Sequence, residues 1–518
     1  MKVPRFLCSA LAAALCLSTA ATVHAVEATA TIHGDRDGGR ISRHLYGHFA
    51  EHLGRCVYDG IWVGPDSDIP NEGGLRTDVV EALRAIDIPN LRWPGGCFAD
   101  DYHWRDGVGP RDQRPKRVNI HWGQVVDTNA FGTHEFFDLC ETLGAEPYLA
   151  GNVGSGTPEE LRDWVEYITY DGDSELANQR RENGREAPWE LKYLGVGNEN
   201  WGCGGSMRPE YYADLFRRYA NYCRDFGGSR LVRIACGPSG FDKNWNNVVM
   251  QRANPQMQGY SLHYYTVDAP WRDKRPATGF DEAAWIGILS DSLNMRRAIG
   301  ETTDAMDPVD PDKRIGLYVD EWGTWYRGEP GTPDWALYQQ NTLRDALVAA
   351  LTLHIFHEHN DRVVMANIAQ TVNVLQAMVL TDGPDLLLTP TYHVFDLYKP
   401  HHDAQRLPVE LDTPPYRHGE RSMPALSVSA SRAEGGAVTV SIVNAHATEG
   451  ARLDCELPGV EAGSVSGRVL TADELDAHNT FDEPNRLKPK EFDGARLRDG
   501  ALRVDAPPRS VVVLTLQE

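Results

Sequence analysis

Two glutamates in this sequence each follow a short apolar run, a position where a carboxyl group can do chemistry. Glu199 lies in the segment GVGNENWGCGG at 195–205, between two asparagines and among five glycines. Glu321 comes soon after the apolar run IGLYV at 315–319. Glycine weakens regular structure, so the chain is expected to turn sharply beside Glu199. Two carboxyl groups partly withdrawn from water can supply a proton donor and a nucleophile or base.

Eight short apolar segments are predicted strands that would position these glutamates. Apolar runs of four to six residues with little alternation are typical of strands buried on both faces of a parallel sheet. Strands that alternate with helices indicate a (β/α)₈ barrel, with a doubly wound open sheet as the alternative. The predicted strands are 45–52, 90–96, 147–154, 191–199, 231–238, 259–265, 315–323 and 362–370, and the predicted helices between them include 77–86, 157–168, 208–228 and 335–357.

The sequence changes character after about residue 400. There, β-branched residues alternate between Gly, Pro and Asp turns, which is typical of an all-β sandwich. The segment EATATIHG at 27–34 has the same pattern. We therefore expect residues 26–44 and 399–518 to form one discontinuous sandwich beside a barrel of residues 45–398.

The carboxyl ends of barrel strands meet at one pocket, so side chains that act on a substrate are expected there. Amides and carboxylates bind hydroxyl groups, and aromatic faces pack on sugar rings. The strand ends are rich in these residue types, which predicts a carbohydrate pocket. They supply Glu51, His52, Arg92, Trp93, Cys97, Asn152, Asn198, Glu199, His263, Tyr264, Tyr265, Asp320, Glu321, Trp322, Asn367 and Gln370.

Glu199 and Glu321 are predicted at the ends of the fourth and seventh strands, which face each other across a barrel. Glycoside hydrolysis uses two such groups: one protonates the leaving oxygen, and the other attacks the anomeric carbon or activates water. Carboxyl groups about 5 Å apart would indicate a retaining mechanism. Alternation along the strand predicts that Asp320 points the other way, with a structural role or an indirect one in support of the site residues. The alternative is that each glutamate is only a structural charge.

Several motifs resemble those of a known enzyme family. GNEN (197–200) and VDEWGTW (319–325) resemble the acid/base and nucleophile motifs of clan A retaining glycosidases, and further stretches resemble glycoside hydrolase family 51, the α-L-arabinofuranosidases. The resemblance implies a barrel with a jelly-roll sandwich. It also implies exo action on terminal α-L-arabinofuranosyl groups of arabinan, arabinoxylan or their oligosaccharides, through a covalent intermediate. The further stretches are GHFAEHLGRCVYDGIW (47–62), LRWPGGCFADDYHWRDGVGP (91–110), NAFGTHEFFDLCE (129–141), GNVGSGTPEE (151–160), SLHYYT (261–266) and MANIAQTVNVL (365–375).

The resemblance also implies roles for single residues. Glu199 would be the acid/base and Glu321 the nucleophile. Cys97 would line the sugar subsite as a free thiol, and Trp325 would border the aglycone side. NIHWGQVVDTNAF at 119–131 is found in only some members, which leaves the aglycone preference open. The other sugar-binding residues would be Glu51, Asn198, Tyr265 and Gln370.

The same resemblance implies no cofactor and no metal, and a homo-oligomer, either a hexamer or a trimer. HEHND at 357–361 looks like a metal cluster, but His357 and His359 would point in different directions on a helix, so packing is favoured. Two other functions stay open: an endoglucanase or β-xylosidase on the same scaffold, or a sugar-binding protein without activity.

The first 25 residues predict a cleaved secretory signal. Lys2 and Arg5 precede the apolar run 6–17, and small residues lead to Ala25. The run is shorter than the ~20 residues that span a bilayer, so a membrane anchor is the less favoured alternative. We therefore expect export to a periplasm or outside the cell, without a membrane partner.

The net charge of the chain narrows the classes of partner that it can bind. A net charge of −23 argues against nucleic acid or anionic membranes and suits a neutral substrate.

Two of the nine cysteines, Cys8 and Cys16, lie in the predicted signal, which leaves an odd number of cysteines after it. At least one thiol is therefore expected to be unpaired unless chains cross-link.

Overall fold

The computed structural model describes residues 26–518 and contains a closed barrel of eight parallel strands. Successive strands are neighbours, and the last pairs with the first, with Asn367 beside Gly47. The predicted barrel is therefore confirmed, and the open sheet is wrong. After an N-terminal strand β1 (Val26–Ile32), the barrel strands are β2 (Gly47–Phe49), β3 (Asn90–Trp93), β4 (Glu146–Gly151), β5 (Tyr193–Val196), β6 (Val232–Ala235), β7 (Gly259–Thr266), β8 (Gly316–Thr324) and β9 (Val363–Ala369).

Helices cover the outside of the barrel. α9 begins at Leu343, later than the predicted residue 335, because Leu337 adopts a left-handed backbone and a capping box between Thr342 and Asp345 starts the helix. Among the helices of residues 26–518, none is both long enough and apolar enough to cross a bilayer. The helices are α1 (Thr77–Ala85), α2 (Thr133–Leu143), α3 (Pro158–Thr169), α4 (Glu175–Glu182), α5 (Pro209–Tyr222), α6 (Lys243–Ala253), α7 (Glu282–Ser292), α8 (Asn294–Met306), α9 (Leu343–Glu358) and α10 (Pro390–Tyr398).

Large side chains fill the amino-terminal part of the barrel interior. Tyr148, Tyr193, Ile234, Tyr318 and Met365 form a buried cluster there. Each is one of the first three residues of its strand, which is why the apolar runs precede the polar strand ends. The packed lower interior leaves the carboxyl end of the barrel as the place where polar side chains meet.

The C-terminal region is an all-β sandwich of two sheets, as predicted. Its strands are β10 (Gln405–Leu407), β11 (Val409–Asp412), β12 (Leu426–Arg432), β13 (Val438–Asn444), β14 (Ala451–Glu456), β15 (Ser464–Thr471), β16 (Lys490–Glu491), β17 (Ala495–Arg498), β18 (Ala501–Ala506) and β19 (Ser510–Gln517), together with β1. The five-stranded sheet has the order β11–β1–β14–β18–β17. The six-stranded sheet has the order β10–β12–β13–β19–β15–β16. Four further two-stranded ladders are Asn71–Glu72 with Leu75–Arg76, Arg117–Val118 with Val126–Asp127, Val379–Asp382 with Asp385–Leu388, and Pro415–His418 with Arg421–Pro424.

The N-terminal strand β1 lies inside the sandwich. It pairs antiparallel with β11 and parallel with β14. Its side chains alternate between buried and more exposed positions, as expected for a strand with one face on a core. The exact domain limits, 26–44, 45–398 and 399–518, stay predictions.

Buried histidines lie where α9 and the segment after α10 contact the six-stranded sheet. Each imidazole bonds to a serine hydroxyl of the sheet at 2.7–2.8 Å. Burial lowers the pKa of His354 and that of His401 to about 3, and it also lowers the pKa of His357. These histidines are therefore neutral packing groups near pH 7. The pairs are His354–Ser427, His357–Ser429 and His401–Ser431.

We predict that this contact makes the protein sensitive to acid. An unfolded histidine takes up a proton near pH ~6.5, whereas the folded ones do so only at much lower pH, so the free energy of unfolding falls as pH drops from about 6.5 towards about 3. Between these two pH values, each such histidine lowers the free energy of unfolding by up to about 1.4 kcal/mol per pH unit. Urea unfolding of the wild type and of His354→Gln at about pH 7.5 and about pH 5 would measure it.

The variant should lose less stability than the wild type between the two pH values, because glutamine does not titrate. His418→Gln is the matched control, since that side chain is 40% exposed. An equal loss in the wild type and in His354→Gln would contradict the prediction.

Candidate active site

The two glutamates meet at the carboxyl end of the barrel. Glu199 follows β5, and Glu321 lies in β8. One carboxylate oxygen of each lies within 4.8 Å of the other, and a ring nitrogen of His263 lies within the same distance of both. The side chain of Glu199 is 18% exposed and that of Glu321 6%. The structure thus brings together the two side chains that the sequence singled out.

A tight turn aims Glu199 into the site. Glu199 itself has a left-handed backbone (φ 43°), and Gly197 before it has φ 89°. The backbone N–H of Gly202 donates to the carbonyl of Glu199 at 2.7 Å. A side chain at Gly204 would place its Cβ 1.9 Å from the carbonyl oxygen of Asn198. Glycine is therefore required at 204, and the turn holds Glu199 in a backbone conformation that costs about 1 kcal/mol or more.

Glu321 accepts two strong hydrogen bonds. The guanidinium of Arg92 donates to Oε1 at 2.9 Å, and the hydroxyl of Tyr265 donates to Oε2 at 3.0 Å. Arg92 is 1% exposed, so its charge is compensated by protein groups rather than by water. These donors fix the orientation of the Glu321 carboxylate.

His263 of β7 lies between the carboxylates. Its Nδ1 is 2.8 Å from Glu199 Oε1 and 3.4 Å from Glu321 Oε2, and its Nε2 is 3.2 Å from Asp320 Oδ1. Burial alone would lower the pKa of His263, but the charge of Glu321, with Asp320 and Glu199, raises it to about 10. The imidazole is therefore a cation at neutral pH. The sequence predicts a strand end at His263 but indicates no role for this residue.

Asp320 faces the site, contrary to the orientation expected from alternation. The pairing of β7 with β8 shifts register between Ser261 and His263, so two successive residues of β8 point inward. Asp320 accepts from the hydroxyl of Tyr148 at 2.5 Å and lies 3.7 Å from the guanidinium of Arg92. Sequence analysis also gave Arg92 no role, although its place at a strand end was the available signal.

Glu51, close enough to Glu321 for the two charges to interact, is enclosed by donors. Its Oε1 accepts from the indole of Trp122 and from the backbone N–H of Phe98, both at 3.0 Å, and its Oε2 accepts from Gln370 at 3.0 Å. Burial, together with the charge of Glu321, raises the pKa of Glu51 to about 7. The structure thus brings Glu51 and Gln370 together, and it adds Trp122 from the segment 119–131.

Burial also raises the pKa of Glu199, and the charge of Glu321 adds to this, while the hydrogen bond from His263 opposes it. A carboxyl group with a raised pKa can hold a proton that it later donates. The arrangement therefore combines a proton donor with a fixed carboxylate that lies within 4.8 Å of it.

Two family descriptions match this chain. "Alpha-L-arabinofuranosidase 1 domain" matches residues 82–283, and "Alpha-L-arabinofuranosidase C-terminal domain" matches residues 320–510. A relative from Bacteroides ovatus, "Intracellular exo-alpha-L-arabinofuranosidase", is 51% identical over 491 residues, which cover 95% of this chain and 96% of the relative.

Solved structures agree with these matches. The GH51 arabinofuranosidase from Xanthomonas axonopodis pv. citri is 51% identical and superposes with a TM-score of 0.94 over 95% of this chain and 100% of that one. The chain belongs to the α-L-arabinofuranosidases of glycoside hydrolase family 51. The α-L-arabinofuranosidase from Thermotoga maritima, solved as an arabinose complex, is 31% identical with a TM-score of 0.84, covering 95% of this chain and 100% of that one.

The predicted export is wrong by this comparison, because the Bacteroides ovatus arabinofuranosidase is named an intracellular enzyme. The prediction of a periplasmic or extracellular location is therefore withdrawn. It depended on the composition of residues 1–25, which lie outside the described residues. A charged start followed by an apolar run is a pattern of composition only.

The prediction that Cys97 is a free thiol is also wrong. Cys97 forms a disulfide with Cys203, with Cα atoms 5.4 Å apart. The two residues are 106 positions apart in the chain, so only the folded barrel brings them together. Cys97 starts the 3-10 helix after β3, and Cys203 lies in the turn after Glu199.

The remaining predicted residues lie around the two glutamates. Asn198 accepts from Arg92 at 2.5 Å, while its buried Nδ2 has no partner among residues 26–518. Gln370 likewise has an unpaired buried Oε1 in this range. Trp325 packs edge-on against Tyr265, with ring centroids 5.0 Å apart. Both amide groups therefore have hydrogen-bonding capacity that residues 26–518 do not use.

Two groups of side chains have spacing that could hold a metal ion: Glu199 with His263 and Glu321, and Cys97 with Glu199 and Cys203. In the first group, a protonated His263 has no lone pair to offer a metal. In the second, both sulfurs are joined in a disulfide. The prediction that the family's reaction needs no metal or cofactor stays a prediction.

We predict that Arg92→Met lowers the free energy of unfolding by about 3–5 kcal/mol, because it leaves buried carboxylates without their cation. Urea unfolding followed by circular dichroism would measure the change. Arg503→Met is the matched control, since its ion pair with Asp454 is about half exposed and screened by water, so its loss should change the stability little. Equal losses in the two variants would contradict the prediction.

Proposed function

We propose that this α-L-arabinofuranosidase is an exo-acting retaining enzyme in which Glu199 is the acid/base and Glu321 the nucleophile. The observation that supports it most directly is the approach of the two carboxylates to within 4.8 Å. Retaining glycosidases keep their two carboxyl groups about 5–5.5 Å apart, whereas inverting enzymes need about 6.5–9.5 Å to accommodate a water molecule.

In the first step, the protonated Glu199 donates its proton to the glycosidic oxygen as that bond breaks. Glu321 attacks the anomeric carbon and forms a covalent arabinosyl ester. In the second step, Glu199, now ionised, takes a proton from water, and the water oxygen displaces Glu321 from the sugar. Tyr265 and Arg92, which hold Glu321, position its attacking oxygen.

The arabinofuranosyl ring is proposed to lie among Glu51, Asn198, Tyr265 and Gln370. Their amide and carboxylate groups suit hydroxyl recognition, and the unpaired amide atoms of Asn198 and Gln370 support this placement. Cys97 borders the same subsite as half of a disulfide rather than as a thiol. Trp325 is proposed to contact the aglycone.

The proposed substrates are terminal non-reducing α-L-arabinofuranosyl groups of arabinan, arabinoxylan or their oligosaccharides. The exo action in the name of the Bacteroides ovatus relative supports this choice. The net charge of −23 favours neutral polymers over nucleic acid as a partner. The proposal of a homo-oligomer, a hexamer or a trimer, depends on the family resemblance alone.

We predict different behaviour for Glu199→Ala and Glu321→Ala. Glu199→Ala should keep most of its kcat/KM on an aryl arabinofuranoside with a good leaving group, because the first step then needs little protonation, and lose at least about 100-fold in kcat/KM on an alkyl arabinofuranoside. Glu321→Ala should lose nearly all activity on both. Azide should rescue the two variants with opposite stereochemistry: a retained product from Glu199→Ala and an inverted product from Glu321→Ala.

Product configuration read by NMR distinguishes the two roles. Tyr264→Phe is a suitable control, because its hydroxyl bonds to the carbonyl of Asp291 rather than to either glutamate. Equal losses on both leaving groups in both variants would contradict the assignment of roles.

A substrate panel tests the alternative of an endoglucanase or β-xylosidase. Two solved enzymes, a bifunctional glucanase-xylanase (12% identical, TM-score 0.61) and a xyloglucanase (10% identical, TM-score 0.62), share the fold with this chain but nothing more specific. We expect kcat/KM on an aryl α-L-arabinofuranoside to exceed that on an aryl β-xyloside by at least about 100-fold, with no release from cellulose. A preference for the xyloside or for cellulose would overturn the proposed substrate.

A further inference from the structure

The disulfide between Cys97 and Cys203 lies directly beside Glu199. Both cysteines are partly exposed, whereas the five free cysteines of residues 26–518 are all buried. The pair that a soluble reagent can reach is therefore the pair at the active site. The buried free cysteines are Cys56, Cys140, Cys223, Cys236 and Cys455.

Cys203 faces one particular oxygen of Glu199. Its sulfur is 3.6 Å from Oε2, while Oε1 is bonded to His263 at 2.8 Å. A sulfur in a disulfide has no proton, so it cannot donate to Oε2, and no other group of residues 26–518 donates to this oxygen. Opening the disulfide would put an S–H donor in hydrogen-bonding range of Oε2.

The turn that contains Cys203 does not depend on the disulfide for its shape. The backbone N–H groups of Gly202 and Gly204 donate to the carbonyl of Glu199 at 2.7 and 3.1 Å, and Asn200 Nδ2 donates to the carbonyl of Gly204 at 2.8 Å. The side chain of Asp100 accepts from the backbone N–H of Asn198 at 2.8 Å. Reduction should therefore change hydrogen bonding to Glu199 while the turn stays folded.

We propose that Cys97 and Cys203 form a reversible thiol-modification site, which a dithiol reductant opens and which controls hydrogen bonding to Oε2 of Glu199. The inference depends on the proposed role of Glu199 as acid/base. Cys203 acts as a positioning residue, because it acts on the reaction only through Glu199.

The redox step is a simple thiol–disulfide exchange. One thiolate of the dithiol attacks one sulfur of the Cys97–Cys203 bond; that bond breaks, a mixed disulfide forms, and the other cysteine leaves as a thiolate. The second thiolate of the dithiol then attacks the mixed disulfide, closes a cyclic disulfide and releases the second cysteine. Two electrons and two protons pass from the dithiol to the protein. A small-molecule disulfide reverses the exchange by the same route.

A thiol that donates to an ionised carboxylate favours the charged form, so reduction lowers the pKa of Glu199. The enzyme then loses its proton donor at a lower pH. In a plot of kcat/KM against pH, the alkaline limb, where activity falls as Glu199 loses its proton, therefore moves to lower pH for a substrate that needs protonation. The other groups around Glu199 are the same in both redox states, so the sulfur is the source of the difference. The titratable and charged groups that surround Glu199 are Arg92, Asp100, Cys236, His263, Tyr265, Asp320 and Glu321.

The test compares the oxidised wild type with the enzyme after treatment with dithiothreitol. A thiol titration under native conditions should show two new reactive thiols. The alkaline limb of kcat/KM on an alkyl arabinofuranoside should move down by about half a pH unit, which is about a threefold loss of activity above the limb. Reoxidation with a small-molecule disulfide should restore the original limb.

Two variants separate the thiol from the cross-link. Cys97→Ala leaves Cys203 as a permanent thiol and should show the acid-shifted limb with or without reductant. The double variant Cys97→Ala, Cys203→Ala has neither cross-link nor donor, so its limb should not respond to reductant and should lie at higher pH than that of Cys97→Ala.

The inference is overturned if no thiols appear in the folded wild type, or if two appear and the limb stays where it was. The wild-type comparison alone decides this should a variant fail to fold. Absence of hydrolysis of any arabinofuranoside by the oxidised enzyme would instead overturn the proposed function, so the two failures are distinguishable.

Discussion

The active site depends on two buried cations that hold three carboxylates within a few ångströms of one another. Arg92 contacts Asp320 and Glu321, and His263 contacts these two and Glu199. Three carboxylates this close in a low-dielectric interior repel one another and lose hydration. The fold tolerates this cost only because each carboxylate contacts a cation or a hydrogen-bond donor. The cations come from β3 and β7, so the closed barrel is what makes the cluster possible.

This cluster gives two identical side chains different environments. Glu321 is buried and held by a guanidinium and a phenol, which fix the orientation of its carboxylate. Glu199 shares His263, but its second oxygen faces a disulfide and partial solvent, and burial raises its pKa. Environment rather than residue type separates the roles proposed for the two carboxyl groups, as in other glycosidases that use a pair of acids.

The barrel and the meeting of Glu199 with Glu321 could be predicted because apolar runs and strand order determine which strand ends converge. Other features depend on contacts that a linear pattern does not contain. A register shift turned Asp320 inward against the rule of alternation. The pairing of Cys97 with Cys203 needed the folded strand ends side by side. The cationic state of His263 came from three neighbours, none adjacent to it in the chain, and the export predicted from residues 1–25 depended on composition alone.

The position of β1 has a consequence for how the chain is made. This strand is the first described segment to leave a ribosome, yet it hydrogen-bonds to β11 and β14, whose paired residues are added 377 to 425 positions later. Until those strands emerge, β1 has one apolar face and two unpaired edges without their native partners. The sheet that contains β1 can therefore close only after the barrel residues between β1 and β14 have been synthesised.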